Sequence, residues 1–481
     1  MRSKIWQQHQ ILKQQPKQID HFFQQIKTQL KVHQTANPVI NDCLSSAANF
    51  VEQFKQPTNL LSGIFYALKD NIVTTDQVTT GGSLFLKNYQ SPFNATVYDR
   101  LLAVGAINVA KTNMDEFGLG GSGTFSAYGK VHLPNKPEYL IGGSSSGSAY
   151  LVAANIVSFS IGTDTGDSIR KPASYSGIVG FKPSYGLISR YGVYPFCPSL
   201  DTVGIFSQYV LDVAIVLSTI AHKDEHDATS WNDAISDYFS YVQKPLTTKI
   251  KIGLFKLMFD YEQNSSCANS NFALTKQAFE QLVIKLTQDS NFEIVWIDFD
   301  QEFLWVIDDL YQIITYAEAA SCYANLTGIT FGLKQTSNNF IDSINHNRSV
   351  FGAEFKKRMA IGGYVLDQEN YHNTYLQAKK VREVIANKLA LVWEQCDFIL
   401  SLGAFGTTYL MKDFDQQIRN PNNMIDNILQ IANFFGLPSI TIPWIKINQL
   451  PVGINLFGPE KTDGPLLNLA YWLETWLETN K

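Results

Sequence analysis

The chain has 481 residues, 45% of them hydrophobic and 17% charged, with a formal net charge of −5 at pH 7; it is too apolar for disorder and long enough for one large α/β domain or two smaller ones. No block of lysine and arginine offers an electrostatic footprint for a phosphate backbone, so any contact with nucleic acid is expected to need a partner. The five cysteines, Cys43, Cys197, Cys267, Cys322 and Cys396, are scattered and never form a CxxC pair; this argues against a disulfide framework or a zinc knuckle and reads as buried thiols in a reducing cytoplasm.

The N-terminal "MRSKIWQQHQILKQQPKQ" has neither an apolar h-region nor a cleavage site. No window approaches ~18 uninterrupted apolar residues, so a cytoplasmic protein without membrane contact is expected. Residues 1–55 are Gln-rich with Phe22, Phe23, Ile26 and Leu30 at helical spacing, which predicts an N-terminal helical cover. Residues 56–481 read as the main domain. "VYDRLLAVGAINVAKT" is helix, glycine turn and strand, and "SGSAYLVAANIVSFSIGTDTG" repeats that order, as in an α/β sheet with helices on its faces. The catalytic part is placed at about 60–210 and a helical, sheet-completing part at 211–481. Polar helices are expected from roughly Leu217 to Asn387, among them one carrying Val381, Val384, Ile385, Leu389 and Val392 along one face. "DFILSLG" and "PSITIPWI" then return as buried strands.

Several candidate motifs dissolve on inspection. None of the eight histidines stands where a general base would be expected, and "HKDEH" (His222 to His226) sits among charges in a predicted surface loop, so no metal site is assigned. "GLGGSG" (Gly118 to Gly123) matches GxGxxG but does not join a strand directly to a helix, so a dinucleotide site is rejected. "GSSSG" around Ser145 matches GxSxG, yet "VHLPNKPEYLI" before it reads as loop, against a nucleophile elbow.

Three pieces remain. "YALKDNI" puts Lys69 in an apolar strand-like setting, where desolvation disfavours the ammonium and leaves a usable base. "GGSSSGS" (Gly142 to Ser148) precedes "AYLVAAN" as a helix start with free N–H groups. "GTDTGDSIRKPAS" (Gly162 to Ser174) follows a strand, so its backbone amides can converge as an anion nest.

Together, and continuing through "GIVGFKPSYGLISRYGVYPFCPSLDTVGIFS", these pieces resemble the amidase signature family, and the Ser144 to Ser168 spacing is the family's. The resemblance implies a single α/β domain with a mixed central sheet covered by helices on both faces. It implies Ser168 as nucleophile, Ser144 as a bridging serine on a cis peptide and Lys69 as base, with the backbone N–H groups of Thr165, Gly166, Asp167 and Ser168 as oxyanion hole. "AKTNMDEFGLGGSG" is similar to the A subunits of tRNA-dependent amidotransferases. Those hydrolyse glutamine and supply ammonia for converting Glu-tRNA(Gln), or Asp-tRNA(Asn), to the amide. That implies Arg358 and Asp426 as partners of the donor's α-carboxylate and α-ammonium, no cofactor on this chain, and partner B and C subunits, the partner handling aminoacyl-tRNA, ATP and Mg2+.

The chain departs from the family pattern at three places. "GGS" before the nucleophile is "GDS", the arginine and proline before "GGSS" are replaced by "EYLI", and Ser146 stands for a glycine. Asp167 is expected to turn from the oxyanion hole toward solvent or Lys171, because its charge would oppose a developing oxyanion. A stand-alone amidase and a catalytically impaired scaffold are the rival readings.

Overall fold

The computed structural model describes residues 2–233, 235–260, 270–335, 337, 339–414 and 424–480. Its strands are β1 (Val39–Asp42), β2 (Phe65–Lys69), β3 (Ile107–Thr112), β4 (His132–Leu133), β5 (Lys136–Leu140), β6 (Phe159–Asp164), β7 (Val179–Lys182), β8 (Thr202–Ser207), β9 (Ile250–Phe255), β10 (Phe292–Ile297), β11 (Phe398–Leu402), β12 (Ser439–Ile447) and β13 (Leu450–Phe457). All but β4 and β5 lie in one mixed sheet of eleven strands, in the order β1-β3-β2-β6-β8-β7-β12-β13-β11-β9-β10. Helices flank it, as the α/β reading required.

β2 pairs in parallel with both β3 and β6. Every residue of these three strands is buried, the behaviour of continuous apolar runs covered on both faces. Because β2 and β6 run in the same direction side by side, Lys69 at the end of one and the loop after Asp164 at the end of the other reach the same edge of the sheet.

Five elements differ from the sequence reading. β9 and β10, a parallel pair, fall in the interval expected to be helical. "IKIGLF" and "FEIVWI" are short, mostly apolar runs of six residues each, too short for periodicity to separate strand from helix. β4 and β5 form an antiparallel hairpin where the prolines point to a loop, with Asn135 at φ 61° in its turn; Pro137 is tolerated because a two-stranded ribbon needs only one edge of each strand. β1 lies within the N-terminal stretch read as helical and pairs antiparallel with β3.

The N-terminal stretch contains the helices Lys4–Gln14 and Gln18–Val32, which bury Ile5, Leu12, Ile19, Phe23 and Ile26, with Phe22 and Leu30 only partly buried. In the helix Tyr375–Val392, Ile385, Leu389 and Val392 are buried with Ala378, but Val384 is 48% exposed; one residue before Ile385, it is turned about 100° away from that face. Cys43, Cys197 and Cys396 are buried thiols, Cys322 is only half-buried on its helix surface, and Cys267 lies outside the described residues. No helix among the described residues is long and apolar enough to cross a membrane.

Candidate active site

Lys69 closes β2 and is fully buried. Its Nζ lies 2.8 Å from Ser144 Oγ, 2.9 Å from Ser145 Oγ and 2.8 Å from Thr163 Oγ1. Burial pulls its pKa down to about 7 against the opposing pull of Asp115, Asp164 and Asp201. A neutral amine has two N–H donors and one lone pair, and the three hydroxyls divide them. Ser145 donates its proton to the Thr163 carbonyl at 2.9 Å, so it can only accept from Lys69. Thr163 Oγ1 already accepts from Asn71 Nδ2 at 3.2 Å. Of the two serines, Ser144 is the one whose proton can face the lysine lone pair, and the arrangement can draw that proton off.

Ser144 sits just before the helix Ser146–Ala153, and the Gly143–Ser144 peptide bond is cis. Its carbonyl accepts the Asp115 N–H at 3.3 Å. Asp115 explains the "GLGGSG" run. Its carboxylate gathers the N–H groups of Gly121, Ser122, Gly123 and Phe125 at 2.8–3.2 Å, so the glycines wind a loop round one side chain. A Cβ on Gly143 would stand 2.4 Å from Asp115 Oδ2. Ser146 fits in the first turn of its helix, its Oγ donating to the Asn113 carbonyl at 3.4 Å.

The loop after β6 carries Ser168, which is 8% exposed. Among the described residues, no acceptor serves the backbone N–H groups of Gly166, Asp167 and Ser168. Their orientation follows from the carbonyls. Arg170 Nη2 donates to Gly166 O at 2.6 Å and Lys171 N to Asp167 O at 2.9 Å. In a trans peptide C=O and N–H point oppositely, so anchoring these two carbonyls turns the N–H groups of Asp167 and Ser168 the other way. That is an anion nest before a candidate nucleophile. Tyr311 packs on its glycine: a Cβ at Gly166 would come within 2.9 Å of the ring. Arg170 is itself held at 3.0 Å by Asp164, whose carboxylate also accepts from Asn433 Nδ2 and from the Ile169 N–H, each at 2.9 Å. The Ser168 hydroxyl makes no hydrogen bond among the described residues, so the structure joins Lys69 to Ser144 but does not join Ser144 to Ser168.

Asp167 takes the second of the expected courses. Its carboxylate pairs with Lys171, and the same ammonium lies 3.0 Å from Asp426 Oδ2. Burial disfavours charge on Lys171, but the two carboxylates outweigh it and raise its pKa, so the cation persists. Asp167 does not have positive φ, so aspartate replaces glycine there without a left-handed backbone. Asp426 is thus already joined to Lys171. Arg358 stands on the helix Ala353–Leu366, paired with Glu354 at 2.8 Å and 3.4 Å from the Gly120 carbonyl. Its guanidinium stands 5.0 Å from the Tyr316 ring and 6.0 Å from that of Phe196.

Sequence reasoning missed Asp115, Asn71 and Asp201. The hydroxyls of Ser145 and Thr163 lay inside quoted motifs, but only the fold shows that they meet Lys69. The "HKDEH" segment lies in a loop with His226 exposed and its Nδ1 3.0 Å from Asp224. No group of three or more His, Cys, Asp or Glu among the described residues could hold a metal ion.

The amidase family model matches residues 18–467. The chain is 41% identical to the protein named as the A subunit of glutamyl-tRNA(Gln) amidotransferase in Mycoplasma genitalium, over the full length of both. It is 38% identical to a Legionella pneumophila protein of the same name, covering 85% of this chain and 83% of that one. The crystal structure of the glutamyl-tRNA(Gln) amidotransferase A subunit from Thermotoga maritima superposes with a TM-score of 0.76 at 29% identity, covering 94% of this chain and 90% of that one. The peptide amidase of Stenotrophomonas maltophilia superposes at 0.77 and 25% identity, covering 96% and 93%. A family match over residues 18–467 and a buried lysine beside the signature serines lead to one conclusion: the chain belongs to the amidase family.

Proposed function

We propose that this chain is the glutamine-hydrolysing subunit of a tRNA-dependent amidotransferase, releasing ammonia from glutamine through an acyl-Ser168 intermediate. The observation that carries the reading is the buried Lys69 amine, with its pKa brought to about 7, hydrogen-bonded at 2.8 Å to Ser144. Such an amine takes the Ser144 proton while Ser144 takes that of Ser168, which activates a serine without histidine. The Ser168 oxygen adds to the carboxamide carbon, and the N–H groups of Thr165, Gly166, Asp167 and Ser168 hold the oxyanion. The relay then returns a proton to nitrogen, the C–N bond breaks and ammonia leaves. Water hydrolyses the ester to glutamate and free Ser168.

In this reading Arg358 meets the donor's α-carboxylate and Asp426 its α-ammonium, the latter shared with Lys171. The names of the relatives support conversion of Glu-tRNA(Gln) to the amide as the use of the ammonia; service to Asp-tRNA(Asn) rests on the motif resemblance alone. We assign aminoacyl-tRNA, ATP and Mg2+ to B and C partner subunits in the cytoplasm, because this acidic chain offers neither a P-loop nor a basic patch. Hydroxylamine tests the acyl intermediate: glutamine and hydroxylamine should give γ-glutamyl hydroxamate with the wild-type assembly and none with Ser168→Ala. Equal hydroxamate from both would overturn the assignment of Ser168.

A further inference from the structure

The loop before Ser168 is fixed by more than its own helix. Thr165, its first residue, donates through Oγ1 to Asp201 Oδ1 at 2.6 Å. The other oxygen of Asp201 accepts the N–H groups of Phe196 and Cys197 at 2.8 and 2.9 Å. Asp201 precedes β8, the neighbour of β6, so its carboxylate bridges two loops at one edge of the sheet. All three groups are buried or nearly so, and Asp201, Thr165 and Phe196 line a cavity of about 240 Å³ together with Thr163, Asn71 and Gly118. Thr163 Oγ1 accepts from Lys69 at 2.8 Å and from Asn71 at 3.2 Å, so the cavity wall is continuous with the lysine's surroundings. The Phe196 ring lies 6.0 Å from the Arg358 guanidinium and 6.5 Å from the ring of Tyr311, the residue packed on Gly166.

We propose that Asp201 is a positioning residue for the reaction: one carboxylate oxygen sets the oxyanion loop through Thr165, and the other sets the Phe196 wall against which the donor is held. This rests on the glutaminase reading above. The chemistry requires a carboxylate. An ionised aspartate accepts all three protons, whereas the asparagine amide has one accepting oxygen and must present N–H to Thr165 or to the Phe196–Cys197 amides. Thr165 needs its hydroxyl for the same contact, and its backbone N–H is a neighbour of the nest. Asp201 therefore acts through Thr165 without touching the reacting atoms.

The test uses the full chain purified with its partners and reads glutamine turnover beside the rate at which phenylmethylsulfonyl fluoride labels Ser168, with Tm as the measure of folding. Thr165→Val and Asp201→Asn should each lower kcat by about tenfold or more with KM within about threefold, the size expected for one hydrogen bond to a charged group. The double variant should be no worse than about twofold below the poorer single, because both remove the same contact. Thr165→Ser should recover most of the loss caused by Thr165→Val. Labelling should follow kcat in all four proteins. If glutamine is not turned over but labelling still falls with both single variants and recovers with Thr165→Ser, the glutaminase reading fails and the positioning role stands. Labelling and turnover within threefold of wild type in Thr165→Val, or single losses that multiply in the double variant, would overturn the proposal.

Discussion

The Lys171 ammonium lies 3.0 Å from Asp426 and also pairs with Asp167, the residue before Ser168. One cation thus neutralises a carboxylate placed where the family carries glycine and a carboxylate expected to greet the donor's ammonium. The two carboxylates and the ammonium together carry one net negative charge.

Lys171 should accordingly matter more than Asp167. Asp167→Gly leaves a Lys171–Asp426 pair with the loop amides intact. Lys171→Met leaves two carboxylates, only 14% and 21% exposed, without their counter-ion beside a developing oxyanion. Steady-state glutaminase assays and melting curves should show Lys171→Met losing more in both kcat and Tm than Asp167→Gly. The opposite ranking would mean that the Asp167 carboxylate itself takes part in the reaction.

Ser144 and Ser145 stand almost equally far from Lys69, yet only Ser144 has a proton free to give. Ser144→Ala should cost about 10³-fold in kcat, within the range for loss of a positioned proton-transfer group. Ser145→Ala, which removes an acceptor, should cost about tenfold. The wild-type rate should rise with pH through about 7 and level above it, because the active form holds Lys69 neutral. Equal losses in the two variants, or a flat profile from pH 6 to 8, would exclude this division of the lysine's hydrogen bonds.

The same lysine makes a prediction for stability. Its folded pKa of about 7 lies below the ordinary 10.5, so between these values the unfolded chain binds a proton that the folded chain does not. The penalty for burying the ammonium is fully present below pH 7 and fades as pH rises toward 10.5. Denaturation of wild type and Lys69→Met, measured from pH 6.5 to 9.5, should show the difference moving steadily in favour of wild type. A difference independent of pH would place a normal lysine at this position.

Arg358 is held by Glu354 and stacked near Tyr316. Arg358→Ala should raise KM for glutamine by about tenfold, as expected for losing a charge-assisted hydrogen bond, with a smaller change in kcat. A simple amide without a carboxylate should show no such rise. Unchanged KM for glutamine would favour an amidase acting on other small amides.

The chemistry-bearing segments were legible in sequence because each is a contiguous motif: Lys69 at the end of an apolar run, Ser144 before a helix, Ser168 after a strand. Even the Asp167–Lys171 pair could be read from its i, i+4 spacing. Asp426 joining that pair, and Asp201 reaching Thr165, could not, since those contacts depend on how distant segments meet across the sheet. Asp115 was invisible for a related reason: a carboxylate's role as the hub of a glycine loop depends on which amides the backbone turns toward it. β9 and β10 were lost to the ambiguity of short apolar runs, and β13 was not singled out from the C-terminal sheet-completing part.

The most direct test is ammonia release from glutamine by the chain purified with its partners, wild type against Ser168→Ala, with ATP and aminoacyl-tRNA present and absent. A coupled glutaminase predicts release that requires Ser168 and rises when both ligands are added; release that persists in Ser168→Ala, or none from wild type under any condition, would contradict it.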